Sequence, residues 1–118
     1  MTDVGANYRK IIDRSREAAV RCGREAHSIK LLAAAKTQSI EAIRAAVKAG
    51  VRLIGENYVQ EARNAKKNID QTIEWHMIGH VQSRKVKDVV PLFDRVHSLD
   101  SLKLARRLDR FAAEGNRI

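Results

Sequence analysis

Lys36 follows the apolar run Leu31–Ala35 and precedes the polar stretch Thr37, Gln38 and Ser39. A lysine at the end of a buried strand has two uses. It can snorkel, covering apolar surface with its methylenes while the ammonium stays in water. Or it can be held against apolar surface, where desolvation disfavours the ammonium and lowers its pKa. The neutral amine is a nucleophile that condenses with an aldehyde to a Schiff base. On an extended strand Leu32, Ala34 and Lys36 point to one side. The small Ala34 leaves room there for a flat ligand beside the amine. The residue types therefore point to carbonyl chemistry at Lys36.

Polar groups stand at three further places of the same kind. Glu56 and Asn57 close "VRLIGEN", Gly79 and His80 follow "IEWHMI", and His97 and Ser98 lie in "DRVHSL". Each also has a plainer use: Asn57 as a helix cap, Glu56 as the partner of a lysine, His97 and Ser98 as the start of a loop. His76 and His80 are spaced i,i+4, but Gly79 and a strand lie between them. The glutamate of a zinc-binding H-E-x-x-H helix is missing, so no metal site is expected.

The elements that must position these groups follow from periodicity. Tyr8, Ile11, Ser15, Ala19, Cys22 and Ala26 form one stripe of an amphipathic helix. The run Ile29–Ala35 is too short and too apolar for a surface helix and reads as a buried strand. Ser39 caps a helix carrying Ile40, Ile43 and Val47, which Gly50 ends. "VRLIGEN" is a second strand. Asn57 with Gln60 opens a helix that runs to about Asn68. "IEWHMIG" is a third strand, followed by a short helix from about Gln82 that stops before Pro91. "DRVHSL" is a fourth strand. Asp100 caps a last helix bearing Leu104, Leu108 and Phe111 and closed by Gly115.

The order is one helix and then four strand–helix units, which predicts parallel strands with helices outside them. No G-x-G occurs, so the dinucleotide-binding form of the open sheet is disfavoured. A complete eight-strand barrel needs about 250 residues, and four units make half of one. The fold class expected is α/β, the N-terminal half of a TIM-type (β/α)8 barrel, with residues 1–118 as one partial domain. The closing residues "EGNRI" read as a loop entering a fifth strand.

Composition sets the outer bounds. With 118 residues and 44 % apolar content the chain is globular. Aromatics at 4 % and abundant alanine favour helices over a β-sandwich. The one cysteine, Cys22, excludes an internal disulfide and reads as a small buried hydrophobe. "MTDVGANYRK" has no apolar core of a secretory signal, and no run approaches the roughly 20 apolar residues of a membrane span. A cytoplasmic protein is expected. The net charge of +9 permits nucleic-acid or phosphate binding, but the basic residues are spread along the chain without interleaved aromatics. A solvated basic surface is the better reading than a nucleic-acid interface.

Four stretches, in order, carry a resemblance: "AAAKT", "IGENYVQEA", "EWHMIGHVQSRKVK" and "VHSLDSLKLA". They resemble the pyridoxal phosphate homeostasis proteins, the YggS-type PLP-binding family, whose fold is similar to the N-terminal barrel of alanine racemase. The resemblance spans about Ile29 to Leu108. It implies that Lys36 carries the internal aldimine with pyridoxal 5′-phosphate. It places Asn57 and His80 beside the cofactor, with His97 and Ser98 lining the same mouth. It implies cofactor carriage and buffering without turnover. Arg84 departs from the family, where asparagine is common before the lysine. Length departs further: the family's second half supplies the phosphate-binding loops and an arginine facing the pyridine nitrogen.

Three explanations fit the short length: a fragment of a longer chain, two associating copies, or a separate polypeptide that completes the barrel. Two other functions stay open at this stage. A racemase or decarboxylase of the same barrel type needs an acid–base partner opposite Lys36. A basic nucleic-acid-binding module would lose affinity steeply with salt.

Overall fold

The computed structural model describes residues 3–70 and 72–117. Helix α1 spans Val4–Arg21 and is capped by Asp3, whose carboxylate accepts the Ala6 N–H at 2.9 Å. It is shorter than the stripe predicts. Gly23 takes a left-handed φ of 76° and turns the chain out of the helix. Ala26 consequently lies in a separate 3-10 turn, Ala26–Ser28. Cys22 sits at the helix end and is exposed, not buried as expected.

Strand β1 is only Leu32–Ala34, because Ile29 is taken up in ending the 3-10 turn. Helix α2, Ile40–Ala49, has the expected caps: Ser39 Oγ accepts the Ala42 N–H at 3.1 Å, and Gly50 follows with φ 125°. Gly50 also lets α1 close on α2. A Cβ there would meet the Tyr8 ring at 3.3 Å, and the Tyr8 hydroxyl donates to the Gly50 carbonyl.

Strand β2, Leu53–Glu56, leads to α3, Val59–Asn68. The residue before α3 is Tyr58 and no side chain caps it, so Asn57 is not the helix cap expected. Strand β3 is Glu74–Met77. A 3-10 turn, Ser83–Lys85, runs into the short α4, Val86–Val89, ahead of Pro91. Strand β4 is reduced to Arg95–Val96. Helix α5, Leu102–Glu114, is capped by Ser101 Oγ, which accepts the Leu104 N–H at 3.1 Å, and not by Asp100. A hydroxyl one residue nearer the first turn reaches that N–H. Gly115 closes α5 as expected; the fifth strand anticipated after it falls on Ile118, outside the described residues.

The four strands are all parallel and lie in the order β1-β2-β3-β4. A doubly wound sheet reverses its strand order at a switch point. This one never does. Right-handed crossovers between consecutive neighbours place successive helices on the same face. The arrangement is that of half a (β/α)8 barrel, as the sequence predicts.

Register assigns every strand residue to a face. Leu32, Leu53 and Glu74 are aligned, and so are Ala33, Ile54 and Trp75. Ala34, Gly55, His76 and Arg95 form the next row, followed by Glu56, Met77 and Val96. The rows of Ile54 and Met77 face the helices. There Ile54, Trp75 and Met77 pack with Ile43 and Val47 of α2, Ala62 and Ala65 of α3, Val86 and Val89 of α4, and Leu104 of α5. The small Ala62 and Ala65 are fully buried, which lets α3 lie close to the strands. Each large apolar side chain buried here contributes about 1.5–3 kcal/mol. The remaining rows form the other face, the interior side in barrel terms. Lys36, Asn57, Ile78 and His97 continue them past the strand ends.

Candidate functional site

Lys36 lies two residues beyond β1 on the interior face. It is exposed, and its ammonium makes no hydrogen bond or ion pair among the described residues. The apolar surroundings expected of it are therefore not supplied by these residues. Thr37 follows at φ 61°. A β-branched residue in the left-handed region is strained, by about 1–3 kcal/mol. The Thr37 hydroxyl donates to the Lys36 carbonyl at 2.6 Å, fixing the turn that directly follows the lysine.

The strand floor beside Lys36 carries small residues, open at Ala34 and covered at Gly55. Ala34 and Gly55 are register partners, so two adjacent strands present one methyl group between them. Ile78 leans over Gly55 from the next strand end; a Cβ on Gly55 would come within 2.8 Å of its Cδ1. Past β3, Gly79 is pressed on Asn57. A Cβ at residue 79 would lie 2.4 Å from the Asn57 carbonyl oxygen and 2.7 Å from its Cα. The Ser98 hydroxyl donates to the Gly79 carbonyl. Asn57 and Ser98 are thus held through one glycine between them. His80 stands apart: it is exposed, and its Nδ1 lies 3.9 Å from Asp100 Oδ2. Such an open pair stabilises little.

His97 joins a chain of polar groups that the sequence reading does not single out. Its Nε2 lies 2.7 Å from His76 Nδ1. His76 Nε2 lies 2.8 Å from Glu74 Oε1, and Arg95 Nε donates to the same oxygen at 2.9 Å. His76 is 6 % exposed, so its two ring nitrogens are satisfied inside the protein. The hydrogen bond from His76, and then that from Arg95, hold the Glu74 carboxyl below the usual carboxylate range. Alternation carries the signal for this cluster: "EWHM" and "RVHS" each put two polar residues on one face at period two. Among the described residues no group of three or more His, Cys, Asp or Glu is arranged to hold a metal.

Glu56 points to the opposite, helix-facing side, where it is 1 % exposed. Among the described residues it has no lysine partner, contrary to the plainer expectation. Glu56 Oε2 and Glu61 Oε2 are buried without a hydrogen-bond partner among the described residues. Burial, and secondarily the charge of Glu61, push the Glu56 carboxyl up to about 7. The two line a cavity of about 220 Å³ beneath the Thr37–Ser39 turn, with Asn64 and Ile43. A larger cavity, about 770 Å³, opens beside β4 against Leu108 and Ala112 of α5. It is the uncovered edge of the sheet and meets the strand-end residues only at His97.

No protein-family model matches the chain. Curated proteins do. The chain is 42 % identical over 109 residues to the pyridoxal phosphate homeostasis protein of Pseudomonas aeruginosa, covering 92 % of this chain and 47 % of that protein. The protein of the same name from Escherichia coli is 41 % identical over 113 residues, with 92 % and 48 % covered. Among solved structures, PipY of Synechococcus elongatus with PLP bound superposes with a TM-score of 0.75 at 41 % identity, covering 86 % of this chain and 49 % of that one. A crystal structure of a protein from Bifidobacterium adolescentis gives 0.82 at 36 % identity, with 97 % and 51 % covered. The chain spans about half the length of the curated relatives it matches.

Proposed function

We propose that this chain, a homologue of the pyridoxal phosphate homeostasis proteins over about half their length, holds pyridoxal 5′-phosphate at Lys36 for carriage and buffering inside the cell. The bond is an aldimine: Lys36 Nζ adds to the cofactor's aldehyde carbon and water leaves. The observation that carries the reading is the setting of Lys36. Its amine is open on the interior face, beside the exposed methyl group of Ala34, while Ile78 covers the neighbouring Gly55. Asn57 and Ser98, held together through Gly79, offer hydrogen bonds to the same ligand, and His97 offers a ring nitrogen. His80 takes the outermost place, beside Asp100. Similarity to a PLP-bound protein supports the choice of aldehyde.

Pyridoxal phosphate owes its catalytic power to its ring acting as an electron sink, which depends on a proton at the ring nitrogen. The homeostasis name of the relatives supports a binding role without turnover. The fold leaves the edges of β1 and β4 and the interior face uncovered, and we read these as surfaces that a second half barrel or a second copy covers.

The test is to add pyridoxal phosphate to the purified chain, record its absorption, reduce with borohydride and map the labelled peptide. A visible aldimine band with label at Lys36, lost in Lys36→Ala, is the expected result. Label scattered over surface lysines, or absent, overturns the reading for this chain.

A further inference from the structure

We infer that Glu74 and His76 are positioning residues that fix the tautomer of His97, leaving His97 Nδ1 as a hydrogen-bond acceptor for a bound ligand at the interior mouth. The assignment follows from counting protons along the chain of contacts. The Glu74 carboxylate accepts from Arg95 at 2.9 Å and, being an acceptor only, requires a proton on His76 Nε2, 2.8 Å away. A neutral His76 then has a bare Nδ1. That nitrogen must accept across the 2.7 Å contact, so His97 carries its proton on Nε2. The rings are tilted by 55°, with centroids 4.9 Å apart, which suits an edge-on hydrogen bond rather than a stack.

What remains is His97 Nδ1, on an exposed residue and without a hydrogen bond among the described residues. It is the one nitrogen of the pair with a free lone pair.

The charged groups that face the pair are few. Glu74 comes from β3 and Arg95 from β4. Asp109 of α5, with Asp94 and Arg117, shares the cavity beside β4 that His97 lines, without bonding either ring. Lys36 ends β1 on the same face. The ligand's matching group is an N–H or O–H donor. Pyridoxal phosphate offers the first when its ring nitrogen is protonated and the second when its phenolic oxygen is, so this last step rests on the function proposed above.

Two experiments separate the parts. Nitrogen-15 NMR of the histidine rings in the ligand-free chain tests the tautomers. Both neutral rings should be Nε2–H. A neutral His97 that carries its proton on Nδ1 overturns the relay whatever the ligand. The second experiment compares His97→Gln with His97→Asn by titration with pyridoxal phosphate. Glutamine keeps a donor at the Nε2 position but no acceptor at Nδ1, whereas asparagine places a carbonyl at Nδ1. Loss of one hydrogen bond corresponds to roughly tenfold in affinity. That loss is expected for His97→Gln, with partial recovery in His97→Asn. Equal binding by wild type and His97→Gln, with Lys36 still labelled, overturns the role of Nδ1. Failure of Lys36 labelling in the wild type instead removes the pyridoxal phosphate reading and leaves the tautomers to the NMR result.

Discussion

Trp75 and His76 are neighbours in the chain, and the two side chains enter different chemistries. Trp75 joins Ile54 and Met77 under the helices, in a layer sealed by Ile43, Val47, Val86 and Leu104. His76 joins Glu74, Arg95 and His97 on the interior face, in a row whose other members are Ala34 and Gly55. The helix face is bulky and apolar; the interior face mixes Leu32, Leu53 and Ile78 with polar groups and is open at Ala34 and Lys36. Because alternation separates the two, the strands can be stabilised from one side while the other is free to carry groups that stabilise nothing. Glu56 breaks the pattern, as a carboxyl without a partner on the apolar side. Its unmet oxygen lies under the turn that presents Lys36.

The largest effect belongs to the helix face. Trp75→Ala removes a buried indole and should lower stability by about 3–5 kcal/mol in urea unfolding, whereas Lys36→Ala should stay within about 0.5 kcal/mol. A small loss for Trp75→Ala would erase the contrast between the faces.

Glu56 sharpens the contrast through pH. Its carboxyl is raised from 4.5 to about 7 in the folded chain. Below pH 4.5 both folded and unfolded forms are protonated, and the group costs no stability. As pH rises through that window the unfolded form ionises first, so wild type loses stability until the folded carboxyl also ionises near 7. The gap then stays at about 3 kcal/mol. Glu56→Gln carries no charge, so the stability difference between variant and wild type should grow from pH 4 to pH 7 and level off above it. A difference that does not change with pH would mean that Glu56 finds a partner in solution.

Gly79→Ala tests the interior mouth. Its methyl group would collide with the Asn57 backbone, and the expected cost is about 1–3 kcal/mol, with displacement of Asn57 and Ser98 seen as amide shift changes. A smaller effect than that of Gly79→Ala is expected for Glu74→Gln. The carboxylate is partly exposed, so its ion pair with Arg95 should contribute less than about 1 kcal/mol. Since its pKa is lowered on folding, that contribution is present above the ordinary carboxyl range and fades as pH falls. Double-mutant analysis with Arg95 measures it.

The succession of one helix and four strand–helix units was legible because amphipathic helical stripes alternate with short, mainly apolar runs bounded by cap and turn residues. Ser39, Gly50 and Gly115 read correctly as caps because their local chemistry suffices. Asn57 and Asp100 misled for a shared reason. Each is a good cap by type, but the first turn begins where the chain leaves the strand, which is set by packing. The lengths of β1 and β4 were hidden likewise, since edge strands end where their neighbour stops pairing. Lys36, Asn57, His97 and Ser98 could be picked out by lying at strand ends. The link from His97 to His76 and Glu74 could not, because it requires the register of β3 against β4. The burial of Glu56 requires knowing which face each strand turns to the helices.

The sequential strand order has a consequence for how the molecule is made. Each strand after the first pairs with a neighbour that lies only roughly twenty residues earlier in the chain, and none waits for a distant partner. A growing chain can therefore add one helix–strand unit at a time as it leaves the ribosome, each new strand docking on a template already present. Folding should be fast for a parallel sheet. The slowest-exchanging amides should lie along the β2–β3 seam, where four consecutive residues are paired and both strands have neighbours on either side.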